Sequence, residues 1–233
     1  MVSRLRLPVM FAASDLFDLK QTEYANLFEG DEPAWKMLPR LKGFLKAAIN
    51  PTNNASVSSQ AIIGERVYLG EGTVVEHGAY IEGPAIIGNN CQIRHGAYIR
   101  SNVIIGSSCI IGNSSELKNC LLFNDCQVPH FNYVGDSILG HHAHLGAGVV
   151  LSNLKSVPGN VMVDGHDTGL RKFGALVGDH AELGCNSVLN PGSIIGRNSV
   201  VYPNTNWRGA LPANHIAKNL AQQQVVERTS SSK

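Results

Sequence analysis

His130 stands in the run Pro129-His130-Phe131-Asn132-Tyr133-Val134-Gly135-Asp136, with a phenol and a carboxylate close behind it. A neutral imidazole takes up a proton near neutral pH, so a histidine set against a nucleophile can act as a general base. Arg100 and Lys118 are two cations eighteen residues apart. If the fold brings them to one edge they can grip a dianion, because a guanidinium binds two phosphate oxygens at once. The run His141-His142-Ala143-His144 places three imidazoles within four residues, a density that suggests a metal. In an extended segment, however, His141 and His142 point to opposite sides, and no metal site is expected. What these residues do depends on the elements that carry them.

Every sixth residue from Val57 to Phe123 is large and apolar: Val57, Ile63, Leu69, Val75, Ile81, Ile87, Ile93, Ile99, Ile105, Ile111, Leu117 and Phe123. The rhythm resumes in frame at Val177, Leu183, Leu189, Ile195 and Val201. A period of six matches neither the helical repeat of about 3.6 residues nor the alternation of a simple strand. It predicts an all-β parallel β-helix, a hexapeptide solenoid in which three hexapeptides make one triangular coil. Val75-Glu-His-Gly-Ala-Tyr-Ile81 recurs eighteen residues on as Ile93-Arg-His-Gly-Ala-Tyr-Ile99, as such coils require. Successive coils lie about 4.8 Å apart, so His77 and His95 stack as a solvent-facing ladder, and Arg100 and Lys118 share one edge. Counting hexapeptides in threes gives about seven coils. Small or β-branched residues follow each repeat residue four positions later, Cys91 and Cys109 among them. With Cys120, Cys126 and Cys185 they make five cysteines and no CxxC, which reads as structural thiols in a reducing, cytoplasmic setting.

Residues 1–56 lack the rhythm. Asp31-Glu32-Pro33 reads as a helix start, and Trp35, Leu38, Leu41, Leu45 and Ile49 follow at helical spacing despite Pro39. A second short helix is expected after Ser14-Asp15. The segment is read as a helical cap over the apolar end of the first coil. The opening residues from Arg4 to Ala13 only faintly imitate a signal peptide and are read as a folded or frayed terminus. The solenoid is assigned to 57–203, with a register slip around Val128–Val134 and an inserted loop at about 154–171 rich in turn residues. Pro203, Trp207 and Leu211-Pro212 read as an exit, and 204–233 as an exit segment with a disordered tail. Charged residues are only 16% of the 233 and the formal net charge is +1, so a nucleic-acid partner is not expected. No apolar run reaches the roughly 18 residues of a membrane span.

Periodicity alone leaves acyltransferases, γ-class carbonic anhydrases and non-catalytic regulatory solenoids open. Glu116-Leu-Lys118-Asn, the His130–Asp136 run, Leu145-Gly-Ala147-Gly-Val-Val-Leu-Ser-Asn153, Thr168-Gly-Leu-Arg-Lys172-Phe-Gly-Ala-Leu-Val-Gly-Asp179 and Asn190-Pro-Gly192 narrow the choice. Over roughly 57–215 they resemble the acetyltransferase half of the bifunctional UDP-N-acetylglucosamine-synthesising enzymes and the C-terminal domains of related sugar-1-phosphate nucleotidylyltransferases. The resemblance implies a left-handed β-helix, a homotrimer with sites between neighbours, and acetyl-CoA as co-substrate without a catalytic metal. It implies His130 as general base and Asn153 beside the reacting acetyl and amine groups. Arg100, Lys118 and Tyr133 would bind the sugar phosphate. His144 falls where the family has a substrate-binding asparagine, and Lys172 where it has a basic residue from a neighbouring subunit. Ala147, Cys185 and Pro203 fall on the acetyl-CoA side, Cys185 replacing a serine. A backbone N–H or amide there could stabilise the tetrahedral oxyanion.

The expected function is acetyl-CoA-dependent N-acetylation of glucosamine-1-phosphate or a similar amino-sugar phosphate, in UDP-N-acetylglucosamine formation. The alternative is a non-catalytic sugar-phosphate-binding solenoid that partners a separate nucleotidylyltransferase. No nucleotidylyltransferase domain is expected in this chain, because 56 residues before the repeat hold neither a nucleotide-binding sheet nor a Gly-rich phosphate loop.

Overall fold

The computed structural model describes residues 11–219; the readings for residues 1–10 and for the tail lie outside them. From Thr52 to Ala217 the chain winds as a parallel β-helix with three flat faces. The first face stacks nine strands, from Thr52–Asn53 to Ala210–Leu211, and the second nine, from Ser56–Val57 to Ile216–Ala217. The third stacks eight, from Ile62–Ile63 to Asn206–Trp207. Nine coils replace the seven counted from hexapeptides, and the ladder runs past both ends of 57–203. The late coils escape the count because Leu211 pairs with Ile195 and Ala217 with Val201, sixteen residues apart instead of eighteen. Trp207 and Leu211, read as an exit, are still inside the solenoid.

The repeat residues from Leu69 to Leu117 are almost wholly buried and line one continuous core. Phe123 departs from the rhythm it completes. Leu122 pairs with Ile105 and takes the inward place, while Phe123 joins a second apolar cluster outside the solenoid. One residue is missing between Leu117 and Leu122, and another between Val134 and Leu139, which pairs with Leu122. The slip expected at Val128–Val134 therefore sits in two shortened corners, at Asn119 (φ 46°) and Asp136 (φ 47°). Left-handed corners recur throughout: Asn90, Ser108, Asp125, His142, His180, Asn198 and Asn214 all have φ between 54° and 63°. Asn, Asp and His tolerate this region better than most side chains, which explains the residue types at that corner.

The N-terminal segment does cap the solenoid, but along its flank. Short helices, α1 (Ala13–Leu16) and α2 (Leu41–Ala48), are joined through 3₁₀ turns that include Ala34–Arg40 around Pro39. Trp35, Leu38, Leu41, Leu45 and Ile49 are buried as their spacing predicts. They pack with Phe17 and Phe28 on the outward side chains of the first face, Ile86, Ile104, Leu121, Ile138, Leu176 and Ile194. The outward side of that face is as apolar as its inward side, so it needs a cover and water alone would not serve. Asp179, 4% exposed, fastens the two parts. It accepts from the backbone N–H of Asp18 at 2.6 Å and of His141 at 2.8 Å, and lies 3.7 Å from Arg197.

The insertion at 154–171 is ordered into a hairpin, Met162–Val163 against His166–Asp167. Its two-residue turn, Asp164-Gly165, has φ of 44° and 84°, the sign pattern that a type I′ turn requires. Val161 and Val163 are buried against the N-terminal segment rather than projecting from the solenoid. Among the described residues no helix is long and apolar enough to cross a membrane.

Candidate active site

The strand Gln127–His130 closes the second face and ends at a corner, with His130 exposed on it. The strand registers Asn113↔His130, Gln127↔His144, Leu145↔Leu183 and Leu183↔Val201 set the rungs of this corner. Continued to the corner, they stack Asn113, His130, Ala147, Cys185 and Pro203 in that order. Backbone bonds confirm the stack: Gly148 N–H donates to the His130 carbonyl at 2.9 Å, Asn186 to Ala147 at 2.8 Å and Asn204 to Cys185 at 2.9 Å. The candidate base and the three residues expected on an acetyl-CoA side thus share one ladder, about 4.8 Å per rung. The Ala147 N–H has no hydrogen-bond partner among the described residues.

Asn132 sets the His130 turn. It occupies an inward place held elsewhere by Ala79, Ala97 and Ser115, and is 2% exposed. Its side-chain oxygen accepts from the His130 N–H at 3.0 Å, and its amide donates to the Gly146 carbonyl at 2.7 Å. A buried amide satisfied on both sides ties the His130 rung to the next coil.

Past the corner, Tyr133 turns outward on the third face, between Glu116 and Val150. Its phenol lies along the face, over Gly135: a Cβ there would meet the Tyr133 oxygen at 2.7 Å and the Asn153 amide nitrogen at 2.6 Å. Asp136, buried at the shortened corner, accepts from the Asn119 amide at 2.7 Å and from the Asn153 amide. A carboxylate only accepts, so both asparagines must turn their nitrogens toward it. With the Asn153 amide nitrogen turned to Asp136, its side-chain carbonyl oxygen is the free group. Tyr133 titrates above the usual phenol range, through burial first and then the Glu116 and Asp136 carboxylates.

Lys118 pairs with Gly135, and the same register places Arg100 one rung before it, so the two cations do share an edge. They are not equivalent. Arg100 is held by Glu116 at 2.8 Å, which also raises its pKa, and it stacks 5.9 Å from the Tyr98 ring. Lys118 makes no ion pair among the described residues. An anion at this edge would therefore meet Lys118 first.

Lys172 and His144 stand further off. Lys172 is exposed at the end of the insertion, bridged to Leu154, while Phe173 N–H donates to the backbone carbonyl of Asn153 at 2.9 Å. His144 lies on the second face, its Nδ1 2.7 Å from Glu182, in a groove of about 410 Å³ shared with Gln127, His142, His180 and Glu182. His141 and His142 do not point apart as an extended strand would require. The left-handed φ of 56° at His142 turns the chain, and their rings lie 4.2 Å apart. One ligand atom from each lies within 4.8 Å of the others and of Asp125, so the geometric ground for setting this cluster aside fails. His77 and His95 form the expected exposed ladder, rings 4.5 Å apart.

Sequence reasoning passed over Asn132, Asp136 and Glu116, although all three lie inside quoted motifs. The signal for Asn132 was an amide in a small-residue position, and for Asp136 the seventeen-residue run Asn119, Asp136, Asn153.

The family model described as the GMPPB C-terminal domain matches residues 81–172. A bifunctional sugar-1-phosphate nucleotidylyltransferase/acetyltransferase of Sulfurisphaera tokodaii is 31% identical over 189 residues, 79% of this chain and 47% of that protein. The bifunctional protein GlmU of Methanococcus vannielii is 36% identical over 96 residues, 40% of this chain and 23% of that protein. The chain thus spans half or less of these two relatives. The uncharacterized acetyltransferase YaiX of Escherichia coli K12 is 32% identical over 207 residues, 81% of this chain and 90% of that protein.

Proposed function

The chain belongs to the hexapeptide-repeat acetyltransferases, and on that premise we propose that it moves an acetyl group from acetyl-CoA to the amine of glucosamine-1-phosphate or a similar amino-sugar phosphate. The observation that carries the reading is the single corner ladder of His130, Ala147, Cys185 and Pro203, set beside Tyr133, Asn153 and Lys118 on the adjoining face. The sugar amine attacks the thioester carbonyl as His130 takes its proton. The C–N bond forms, the C–S bond breaks, and CoA leaves as the thiol once the proton is returned. The free carbonyl oxygen of Asn153 suits the N–H of the incoming amine. Its amide nitrogen is engaged by Asp136, so the developing oxyanion is assigned to the unpartnered Ala147 N–H. Lys118 holds the phosphate with Arg100 in support, and the pantetheine arm runs along the Cys185 and Pro203 rungs. His144 and Lys172 are assigned to a substrate bound between neighbouring copies of a homotrimer.

CoA release from acetyl-CoA, followed with a thiol reagent across a panel of amino sugars and their phosphates, tests the reading. Release that needs an amino-sugar phosphate is the expected result, with unphosphorylated glucosamine poor. Absence of release with every member of the panel refutes it in favour of a binding solenoid. Light scattering that finds a stable, active monomer refutes the trimer.

A further inference from the structure

The geometry points to a second site, apart from the His130 ladder: Asp125, His141 and His142 form a seat for a divalent transition metal of the zinc, cobalt and nickel kind. One ligand atom from each residue lies within 4.8 Å of the other two. His180, one coil on, brings a third imidazole, its ring 5.4 Å from that of His141 and 5.2 Å from that of His142.

The backbone fixes this convergence. Asp125, His142 and His180 occupy the same left-handed corner place in successive coils, with φ of 63°, 56° and 56°. Tetrahedral zinc, with bonds of about 2.0–2.2 Å, needs ligand atoms about 3.4 Å apart. The remaining gap would be closed by side-chain rotation of exposed His142 and half-buried Asp125. His141 is held from one side, its Nδ1 3.0 Å from the Asn124 carbonyl and 3.5 Å from Asp125. A proton on Nδ1, donated to Asn124, leaves the lone pair on Nε2, as a metal ligand requires.

The charges agree. Asp179 is paired with Arg197 and Glu182 with His144, whereas the ion-pair partner of Asp125 is His141 itself. A cation there therefore meets a carboxylate with no lysine or arginine on it. Imidazoles with one carboxylate select borderline metals over magnesium or calcium. His142 also lines the groove that holds His144, so the bound ion stands in the wall of that groove.

The test uses the full chain without a histidine tag, stripped with chelator and titrated with zinc chloride by calorimetry. One zinc per chain is expected, with Asp125→Asn and His142→Asn each weakening binding at least tenfold. Asparagine accepts a left-handed φ, so both variants should melt like the stripped wild type, and His141→Gln provides a third removal outside that corner place. His95→Asn, in the separate pair of His77 and His95, should leave binding intact. No stoichiometric zinc at micromolar concentration overturns the site. So does binding that survives all three removals or is lost in His95→Asn.

Discussion

Replacing Asp136 with asparagine exchanges one carboxylate oxygen for an amino group at the point where the site residues are tied together. The backbone should not object, because φ at Asp136 is 47° and asparagine adopts that region readily. The side chain is 6% exposed and accepts from two amide nitrogens, those of Asn119 and Asn153. Asparagine offers one acceptor and one donor, so in either orientation one of the two amides meets an N–H group. Losing one charge-assisted bond and stranding a buried donor costs about 1.5–3 kcal/mol. For a chain of 233 residues, each kcal/mol lowers the melting temperature by about 2–4 °C, which gives a fall of roughly 3–12 °C. Calorimetry or circular dichroism reads this directly.

Activity should fall as well, since Asn153 keeps its carbonyl toward the substrate only while its nitrogen faces a carboxylate. A loss of about 1.4 kcal/mol in the transition state is a tenfold loss of turnover. The KM for acetyl-CoA should stay near wild type, because the Ala147–Pro203 ladder is untouched. A variant that melts within a degree of wild type and turns over normally refutes the reasoning. One that melts early but turns over normally shows that the orientation of Asn153 is not used.

His130→Ala should lower kcat about 10²–10⁴-fold with little change in stability, since the ring is exposed; near-normal turnover would rule out its role as base. Lys118→Ala should raise the KM for the sugar phosphate roughly 10–150-fold, from a lost charge-assisted contact of about 1.5–3 kcal/mol, and should cost more than Arg100→Ala. If the KM for acetyl-CoA rises instead, the two halves of the pocket are assigned the wrong way round. Of the five thiols only Cys185 is exposed, and burial pushes those of Cys109 and Cys120 up, as the hydrogen-bonded Cys109 thiol and then burial do for Cys91. The thiolate is the reactive form, so a neutral-pH thiol reagent should modify one cysteine per chain quickly, and acetyl-CoA should slow it. Two fast thiols would contradict the packing, and an unprotected Cys185 would contradict the cofactor ladder.

The β-helix was legible because each inward place recurs at a fixed interval, and core packing admits only large apolar residues there. Phe123 shows the limit of that reading: it keeps the interval by coincidence, while the shortened corner at Asn119 hands its place to Leu122. Contacts between rungs could be anticipated for Arg100 and Lys118, whose separation equals one coil. The pairing of Arg100 with Glu116, and of Asn153 with Asp136, depends on side-chain reach and escapes a count of residues. The flank cover was misplaced because apolar residues at helical spacing say that a surface is buried, not which surface. His141 and His142 were misjudged because a strand rule was applied to a corner.

The N-terminal cover has a consequence in time. Ser14 accepts from Arg197 across a separation of 183 residues, and the cover also rests on Ile194. Chains are made from the N-terminus at about 5–20 residues per second, so the interval between the two partners is roughly 10–40 s. During it, Trp35 has been made, but Phe173, against which its ring packs, and Ile194 have not. The cover can thus be completed only after the late coils form, and a chain arrested before Ile194 leaves part of its apolar surface without a partner. Variants of Asp179, the residue that fastens the cover, should consequently betray themselves as insoluble protein in the cell before any defect is seen in the purified chain.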